Sequence, residues 1–429
     1  MTVQDSDTSH LAARRAALVM VQAVTGEGRI LADIGRDSLA GLEPAGRAAA
    51  NRLANGTLRW SDRADRLLGP YLRNKPYALT HNILRMAVFE LLVAQEAAHG
   101  VVDSAVRMVG EHDQTRAQRG LVNAVLRNIL RAGPDVWAAL PPPRLPKPLR
   151  KTLRAAWGKA AVEAMEAAFA ADPPLDLTPR DGDAPVLAAR LGGTVLPTGS
   201  VRLLAPGQVR GLPGYDTGDW WVQDAAAVLP VRVLAPTPGE RVLDMCAAPG
   251  GKTLQMAAAG ASVTALDQSE HRMTRVRENL ERCRLSATCE IADAQVWEST
   301  PFDAVLVDAP CSATGTIRRH PDLPHAKAGA DFSGLMTLQA ALIDRAVALT
   351  RPGGRLVFCA CSLLPDEGEA QAAAALARHA GILSPDRDAL AVSGVSDTWL
   401  AEHGLRIRPD HWADLGGLDG FFIAAFRRL

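Results

Sequence analysis

In the C-terminal half of the chain, from Gly239 onward, short apolar runs alternate with stretches of helical periodicity. Strands that are separated by helices are typical of a parallel, doubly wound sheet. We therefore predict a Rossmann-like α/β domain over 236–429. A last apolar run, 421–426, is predicted to be an antiparallel edge strand. The predicted parallel strands are 241–244, 262–267, 304–307 and 355–358, and the predicted helices between them include 270–284 and 335–349.

The N-terminal part differs, because apolar residues recur there at helical spacing while Gly and Pro fall between the periodic stretches. Residues 1–135 are predicted to form an all-α bundle. A proline-rich run at 136–149 is predicted to be a stiff linker, since consecutive prolines cannot coil into a helix. Residues 150–235 begin with a predicted helix at 153–169 and continue as short runs broken by Gly and Pro, which indicates a small α+β subdomain.

Charge is distributed unevenly along the chain. Residues 1–160 carry 23 Lys and Arg against 14 Asp and Glu, and the rest carries 24 against 33, so a balance of +9 is followed by one of −9. A basic N-terminal part is able to contact the phosphates of a nucleic acid. Arginines that only solubilise an alanine-rich bundle would give the same imbalance, and charge alone leaves both interpretations open.

The length of 429 residues exceeds what one hydrophobic core holds, so two or three domains are expected. No run approaches the roughly 18 apolar residues of a membrane-spanning helix. All six cysteines lie at or after Cys246, which is not the pattern of a disulfide framework. A cytoplasmic protein without membrane association is the expectation.

Two cysteines and one aspartate follow the last two predicted parallel strands. Asp308 and Cys311 follow the run 304–307, and Cys361 follows the run 355–358. Side chains just beyond the carboxyl ends of parallel strands face the ligand site of an open α/β sheet. Two thiols and a carboxylate at such a place favour nucleophilic attack on an otherwise unreactive ring.

A cysteine also has a plainer interpretation, because free Cys often packs as a small hydrophobe. Metal binding is not expected, since Cys359 and Cys361 lack the spacing of metal ligands and no histidine nearby in sequence completes a set of four. A redox pair of Cys311 with Cys361 remains a minor alternative. The packing interpretation is the one we favour for Cys246, Cys283, Cys289 and Cys359.

A glycine-containing turn follows the first predicted strand. Gly251-Lys252-Thr253 resembles part of a phosphate-binding P-loop, but Cys246 stands where that motif needs its first glycine, and this spacing excludes the P-loop. What remains is a tight strand-to-helix turn, in which Gly250 and Gly251 let the backbone approach a ligand and the helix N-terminus offers free N–H groups.

Three aspartates near successive strand ends suggest what that ligand is. Asp267 lies 23 residues after Asp244, the distance at which an acidic side chain reaches a ribose hydroxyl pair. Asp293 follows the next short apolar run and is placed to accept a hydrogen bond from an adenine amino group. Each could instead be an ordinary helix cap, but together they favour adenosine with a short charged tail, as in S-adenosylmethionine.

At this point the chain resembles the RNA cytosine-5 methyltransferases of the NOL/NOP/Sun family, and among them the bacterial enzymes for small-subunit ribosomal RNA that carry a NusB-like RNA-binding domain. The resemblance departs at 174–178, where many relatives have an Arg-x-Asn strand, and at 365–369, a variant of a more acidic run. The matching segments are 120–127 in the helical part, and 223–226, 244–253, 308–312, 314–322 and 419–422 in the rest.

The resemblance implies a role for each site residue. Cys361 is then the nucleophile that attacks carbon 6 of cytosine, Cys311 promotes elimination, and Asp308 holds the exocyclic amine and ring N3. Lys252 is then placed to contact the target or to lower the pKa of a thiol. The residues expected to bind S-adenosylmethionine are Cys246, Ala247, Ala248, Pro249, Gly250, Gly251, Lys252, Asp267, Arg272, Asp293 and Asp308.

The expected substrate is 16S rRNA or an early small-subunit assembly intermediate, bound by a monomer, with the target base flipped out or already unpaired. Arg318, Arg319 and His320 are predicted to contact RNA phosphates, although a solvated turn would read the same. An assembly factor with a vestigial site is a second hypothesis, which the two thiols disfavour. A DNA cytosine-5 methyltransferase is a third, and it would use Cys311 as the nucleophile.

Overall fold

The structure, a computed structural model, describes residues 3–205 and 207–429. The chain forms two compact units: the first contains the residues up to 171 together with 317–330, and the second contains 172–316 and 331–429. The boundaries of these two units differ from those of the predicted domains. The helix that begins the predicted subdomain at 150–235 belongs to the first unit, and the small sheet that follows it belongs to the second.

The first unit is a helical bundle, as predicted. Its core is built from the apolar faces of these helices, and α3 and α4 approach so closely that a Cβ on Gly56 would lie 2.1 Å from the Phe89 ring. Inside this core a buried ion pair joins Arg14 to Glu90, with 2.7 Å between Nη2 and Oε1. The helices are α1 (Val3–Glu27), α2 (Leu31–Ser38), α3 (Pro44–Leu68), α4 (Ala78–Leu92), α5 (Ala98–Gly110), α6 (Arg119–Ala132), α7 (Pro134–Ala138) and α8 (Lys147–Ala170).

The proline-rich linker is shorter than predicted. Pro134 opens α7, and Pro148 lies in the first turn of α8, where the missing N–H would have had no helical partner. Only residues 139–146 between them remain outside a helix.

Residues 317–330 belong to the helical unit, although they come directly after the Cys311 loop in sequence. Asp322 accepts a hydrogen bond of 2.8 Å from the backbone N–H of Leu31, and Arg59 donates one of 2.9 Å to the carbonyl of Arg318. The segment contains one short helix, α13 (Leu323–Ala326). The predicted phosphate contact is wrong for Arg318, because its side chain is only 1% exposed and an RNA phosphate would not reach it.

The second unit begins with a four-stranded sheet in the order β2-β3-β1-β4. Its buried ion pair joins Asp176 and Arg202 through two hydrogen bonds of 2.7 Å. Asp176 also accepts a hydrogen bond of 3.0 Å from the backbone N–H of Ala225. The segment that departs from the family pattern therefore anchors the family-like segment 223–226. The elements are β1 (Leu175–Pro179), α9 (Ala184–Leu191), β2 (Thr194–Val195), β3 (Val201–Leu203), β4 (Trp220–Val222) and α10 (Leu229–Leu234).

The large sheet of this unit has the order β11-β12-β13-β9-β8-β5-β6-β7, with β10 also paired to β13. The strands β9, β8, β5, β6 and β7 are parallel neighbours, which confirms the predicted doubly wound sheet. The elements are β5 (Arg241–Met245), α11 (Gly251–Ala258), β6 (Ser262–Asp267), α12 (Glu270–Cys283), β7 (Thr288–Ile291), β8 (Phe302–Asp308), α14 (Ser333–Leu349), β9 (Thr350–Ala360), α15 (Glu369–Arg378), β10 (Leu383–Pro385), β11 (Leu400–Ala401), β12 (Gly404–Ile407) and β13 (Phe421–Arg428).

The prediction of an edge strand at 421–426 is wrong in one respect. Strand β13 is antiparallel, but it pairs with β9 on one side and with β12 on the other, so it lies inside the sheet. The sequence of β12 is short and contains Arg406, which is why its apolar pattern gave no signal.

Candidate active site

Two thiols meet at the carboxyl edge of the large sheet. Cys311 follows β8 and Cys361 follows β9, and because these strands are parallel neighbours their ends bring the two Sγ atoms to 3.4 Å. Both cysteines are free and half-buried, and the separation is well beyond the ~2.05 Å of a disulfide bond. The pair predicted from sequence is thus adjacent in space.

The loop after Cys311 passes very close to the last strand. Gly315 donates a backbone hydrogen bond of 2.9 Å to the carbonyl of Cys361 and accepts one of 2.8 Å from Gly420. A Cβ on Gly315 would lie 2.0 Å from the Gly420 oxygen, so only glycine fits there. This close approach explains why the segments 314–322 and 419–422 both carry a glycine.

A lysine and an aspartate lie beside the thiols. Lys252 Nζ is 2.7 Å from Asp308 Oδ2, and the Cys359 thiol donates to Oδ1 of the same carboxylate at 3.4 Å. Burial is the largest single influence and lowers the pKa of Lys252, but the charge and hydrogen bond of Asp308, together with the charges of Cys359 and Asp244, raise it by more in sum, so the ammonium stays charged. Phe421 lies under that ammonium, with 5.4 Å between Nζ and the ring centroid.

The pKa of Cys361 is raised well above its ordinary value. The largest cause is the hydrogen bond with Cys311, followed by burial and then by the charges of Cys311 and Asp308. Lys252 acts in the opposite direction and favours the thiolate. The thiolate is the reactive form of a cysteine, and the positive charge of Lys252 favours that form of Cys361.

The other cysteines lie apart from this pair or are deeply buried. Cys283 and Cys359 are fully buried, as the packing interpretation predicts, and burial raises the pKa of both. Cys289 is half-buried on β7. Cys246 opens the turn after β5 with φ +63°, and burial raises its pKa to about 12, so it is a neutral thiol.

The turn after β5 is held by the neighbouring strand ends. The backbone N–H of Ala248 donates a hydrogen bond of 3.2 Å to Asp267 Oδ2, and the N–H of Ala247 donates one of 3.0 Å to the carbonyl of Leu266. Gly250 has φ +101°, and an added Cβ would lie 3.2 Å from Val276, so the turn sits tightly on α12. The residues predicted to line the cofactor loop, 246–252, therefore form one turn at the edge of the sheet.

Four aspartates lie along this edge, at the ends of β8, β5, β6 and β7. Asp267 is only 3% exposed and its Oδ2 is 3.6 Å from Arg272 Nη1, while Asp293 is exposed and caps the turn to Gln295. Asp244 accepts a hydrogen bond of 2.6 Å from the Thr253 hydroxyl, and burial raises the pKa of Asp244 to about 7. Arg272 also donates a hydrogen bond to the carbonyl of Ala248, so Arg272, Asp267 and the 246–252 turn are in contact.

Comparisons with known proteins identify the family of this chain. Residues 231–427 match the model of "16S rRNA methyltransferase RsmB/F", and residues 11–131 match that of the NusB family. The ribosomal RNA small subunit methyltransferase B of Pseudomonas putida is 37% identical over 403 residues, covering 88% of this chain and 89% of that protein. The chain belongs to the RsmB/F family of 16S rRNA methyltransferases.

Further similar proteins extend the comparison over nearly the whole chain. The enzyme of the same name from Vibrio vulnificus is 33% identical over 389 residues, covering 85% of this chain and 91% of its own length. The crystal structure of PH0851 has the same fold, with a TM-score of 0.72, 20% identity, and coverage of 96% of this chain and 98% of that one.

The cofactor of this family is S-adenosylmethionine, and the residues present fit it. Among the described residues, Oδ1 of Asp244 is buried without a hydrogen-bond partner, which indicates a missing donor at this edge. Carboxylates accept from hydroxyl and amino groups, the donors that an adenosyl group and its amino-acid tail provide. Asp244, Asp267 and the 246–252 turn would hold it, and S-adenosylmethionine supplies an electrophilic methyl group when bound.

Two further observations concern the described part of the chain alone. None of its helices combines the length and the apolar composition that a membrane-spanning helix needs. No three His, Cys, Asp or Glu side chains gather there in an arrangement that would hold a metal ion.

Sequence reasoning missed one part of the site. Glu367 lies in the segment 365–369, which the sequence marks only as a departure from the family pattern. In the structure its buried carboxylate binds Ser312 and Ser362, the residues that directly follow the two cysteines. The adjacent Cys-Ser pairs in the sequence were a signal for this arrangement, but nothing in the sequence named their partner.

Proposed function

We propose that this protein methylates carbon 5 of a cytosine in 16S rRNA through a transient covalent bond between Cys361 and carbon 6 of the base. The observation that carries the proposal is the pair of free thiols, 3.4 Å apart, beside a charged lysine and an aspartate at the cofactor edge of the sheet. A single nucleophile needs one thiol. A second thiol within reach of the first supports a two-step cycle of attack and release.

In the first step Cys361 loses its proton to solvent and its sulfur bonds to carbon 6. The electron pair of the C5–C6 double bond moves to carbon 5, which becomes nucleophilic enough to accept the methyl group that bound S-adenosylmethionine would supply, with S-adenosylhomocysteine as the leaving group. Lys252 favours this step because its positive charge stabilises the thiolate before attack. Asp308, which the lysine holds at 2.7 Å, accepts hydrogen bonds from the exocyclic amine as charge builds on the ring.

In the second step Cys311, which has lost its own proton to solvent, removes the remaining proton from carbon 5 and becomes a neutral thiol. The C5–C6 double bond re-forms and the bond from carbon 6 to the Cys361 sulfur breaks, so this sulfur leaves as a thiolate. The two sulfur atoms must therefore reach neighbouring ring carbons from one side. Their separation of 3.4 Å is consistent with that requirement.

The substrate we propose is 16S rRNA or an early small-subunit assembly intermediate, bound by a monomer in the cytoplasm. The helical unit supports an RNA contact, because the first 160 residues carry the basic excess of +9. The target base must leave its stack, since its ring carbons are unreachable inside a duplex.

A fluorinated substrate tests the covalent step. In RNA that carries 5-fluorocytidine, carbon 5 has no proton to lose, so the adduct persists after methyl transfer. We expect a protein–RNA band on a denaturing gel, and peptide mass spectrometry should place the nucleotide on Cys361. An adduct on Cys311 would instead favour the DNA-methyltransferase type of chemistry, and methylation without any adduct would refute the covalent route.

The methylated atom is tested independently by bisulfite sequencing of 16S rRNA from a strain that lacks this protein. One cytosine that resists conversion in the parent strain should become convertible in the deletion strain, and the wild-type protein should restore its resistance. An unchanged bisulfite pattern would exclude carbon 5 of a 16S rRNA cytosine as the target.

A further inference from the structure

A buried carboxylate links the two cysteine loops. Glu367 is 0% exposed and lies in a short turn at Pro365–Glu367, just after the Cys361 loop. Its Oε2 accepts hydrogen bonds of 2.5 Å from the hydroxyls of both Ser312 and Ser362. Its Oε1 accepts a hydrogen bond of 2.8 Å from the backbone N–H of Ser312 and one of 3.1 Å from the side-chain amide of Gln339. Glu367 therefore contacts the residue that follows each cysteine.

This link begins where the sheet ends. The pairing of β8 with β9 stops at Asp308 and Cys359, and one more backbone bond, Ala309 N–H to the Cys359 carbonyl at 2.9 Å, follows it. Beyond it a single backbone bond, Gly315 N–H to the Cys361 carbonyl at 2.9 Å, joins the two loops, and the side-chain contacts of Glu367 add to it. Hydroxyl contacts among Ser312, Thr314 and Ser362 at 3.1–3.3 Å extend the network around the carboxylate.

All four contacts of Glu367 come from donors, and a carboxylate is an acceptor with two oxygens. Burying such a group is costly unless it is fully hydrogen-bonded, and here each oxygen receives two bonds. The carboxylate does not contact either sulfur, so its effect on the chemistry must pass through the loops. Its length matters as much as its charge, because it spans from the 365–367 turn to Ser312.

We infer that Glu367 is a positioning residue that holds Cys311 and Cys361 at the separation required for attack and release. The inference rests on the proposed function for its catalytic consequence, but the geometric claim concerns the two sulfur atoms and is measurable without RNA. A displacement of about 1 Å between reacting groups is able to cost on the order of 100-fold in rate.

Three variants separate length from charge. Glu367→Asp keeps the charge but shortens the side chain by one methylene, so it loses reach to one loop. Glu367→Gln keeps the length, and the two serine hydroxyls are free to rotate and accept from its amide. Asp366→Asn is the matched control, because Asp366 is the exposed neighbour and has no hydrogen bond or ion pair among the described residues.

The first measurement is disulfide formation between Cys311 and Cys361 with oxidised glutathione, in the full-length protein without RNA or cofactor. The two thiols are oxidised to one disulfide, and one oxidised glutathione is reduced to two glutathione thiols. Tryptic mass spectrometry identifies the 311–361 disulfide, and Cys311→Ser supplies the blank. We expect Glu367→Asp to form this disulfide at least tenfold more slowly than wild type, whereas Glu367→Gln and Asp366→Asn stay within about threefold.

The second measurement is steady-state methylation of undermodified 16S rRNA. Glu367→Asp should lower kcat by about 100-fold and change KM for RNA by less than about threefold, and Glu367→Gln should restore most of kcat. Thermal unfolding and circular dichroism confirm that each variant is folded before it is compared. If Glu367→Asp fails to fold, Ser362→Ala, which removes one hydroxyl donor from the network, takes its place in both assays.

Three outcomes would overturn the inference. The first is wild-type disulfide formation and kcat in Glu367→Asp, and the second is a loss of kcat with disulfide formation unchanged. The third is greater damage from Gln than from Asp, which would mean that the charge of Glu367 acts on the thiols directly. A failure of the proposed function is distinguishable, because the wild-type protein would then form no m5C while the disulfide rates of the variants still differed as stated.

Discussion

The candidate site has two halves. Contacts between residues close in sequence stabilise one half, and contacts between residues far apart in sequence stabilise the other. At the ends of β5 and β6, Asp267 binds Ala248 and Ser269, and Asp244 binds Thr253, so every partner lies within 19 residues. At the ends of β8 and β9, Cys311 lies beside Cys361 and Glu367 binds Ser312, across 50 and 55 residues. The cofactor half is built by a local turn, whereas the cysteine half exists only once two strands are paired.

This difference predicts how each half should respond to the substitution of a single side chain. A local turn keeps its form when one carboxylate is altered, so we expect a graded loss of cofactor affinity. The cysteine half joins groups that act in one covalent cycle, so the loss of one member should stop the cycle at a defined step.

The largest effect is expected from Cys361→Ala. Without the sulfur that bonds to carbon 6, carbon 5 is not activated, and methylation of undermodified 16S rRNA should fall by at least about 10⁴-fold. S-adenosylmethionine affinity, measured by calorimetry, should stay within about twofold of wild type because Cys361 is outside the cofactor turn. Retained turnover would show that the nucleophile is misassigned, and a parallel loss of cofactor affinity would show that the halves are not separate.

Cys311→Ala should give a smaller and different defect. Attack and methyl transfer need only Cys361, but the proton on carbon 5 then has no nearby thiolate to accept it. We expect a single round of methyl transfer, multiple turnover reduced by about 10³-fold, and a protein–RNA adduct that survives a denaturing gel. The double variant Cys311→Ala with Cys361→Ala is the control and should form no adduct. If Cys311→Ala leaves no adduct, another group must release the product.

Asp267→Asn addresses the cofactor half. The substitution keeps the shape of the side chain but replaces one acceptor oxygen with an amide, and Asp267 Oδ2 already accepts from Ala248. Losing a charge-assisted contact to a ribose should weaken S-adenosylmethionine binding by about 10-fold to 100-fold. RNA affinity, measured by filter binding, should be unchanged. An equal loss of both affinities would mean that the pocket lies elsewhere.

The same difference in range explains what the sequence was able to predict. The strands at 241–244, 262–267, 304–307 and 355–358 were found because each is an apolar run with a turn after it, and a parallel sheet then brings their ends together. That argument was enough to expect Cys311 near Cys361. The roles assigned to these residues remain predictions, because their position alone does not fix which sulfur attacks.

Other features had no local signal. The contact of Glu367 with Ser312 spans 55 residues, and a lone glutamate after a strand has the same pattern as a solvated one. Arg318 was predicted to contact RNA phosphates or to lie in a solvated turn, yet the segment 317–330 belongs to the helical unit and the side chain is buried. Burial of a charged residue depends on tertiary partners, which the neighbouring sequence does not specify.

Lys252 belongs to both halves and is therefore the most direct test of their separation. It lies on α11, next to the cofactor turn, but its ammonium binds Asp308 and faces the thiols. Its charge lowers the pKa of Cys361, while the charge of Asp308 raises it. Lys252→Met removes the first effect and leaves the second unopposed, so the thiol pKa should rise and less thiolate should be present at any given pH.

We therefore expect kcat/KM of Lys252→Met to be about tenfold below wild type at neutral pH and to approach it as the pH is raised, since alkaline solution restores the thiolate. Lys252→Arg keeps the positive charge, and its pH profile should stay close to that of the wild type. The measurement is kcat/KM for undermodified 16S rRNA between pH 6 and pH 10. A loss that is the same at every pH, together with weakened cofactor binding, would assign Lys252 to the cofactor half alone, and activation of Cys361 would then need another source of positive charge.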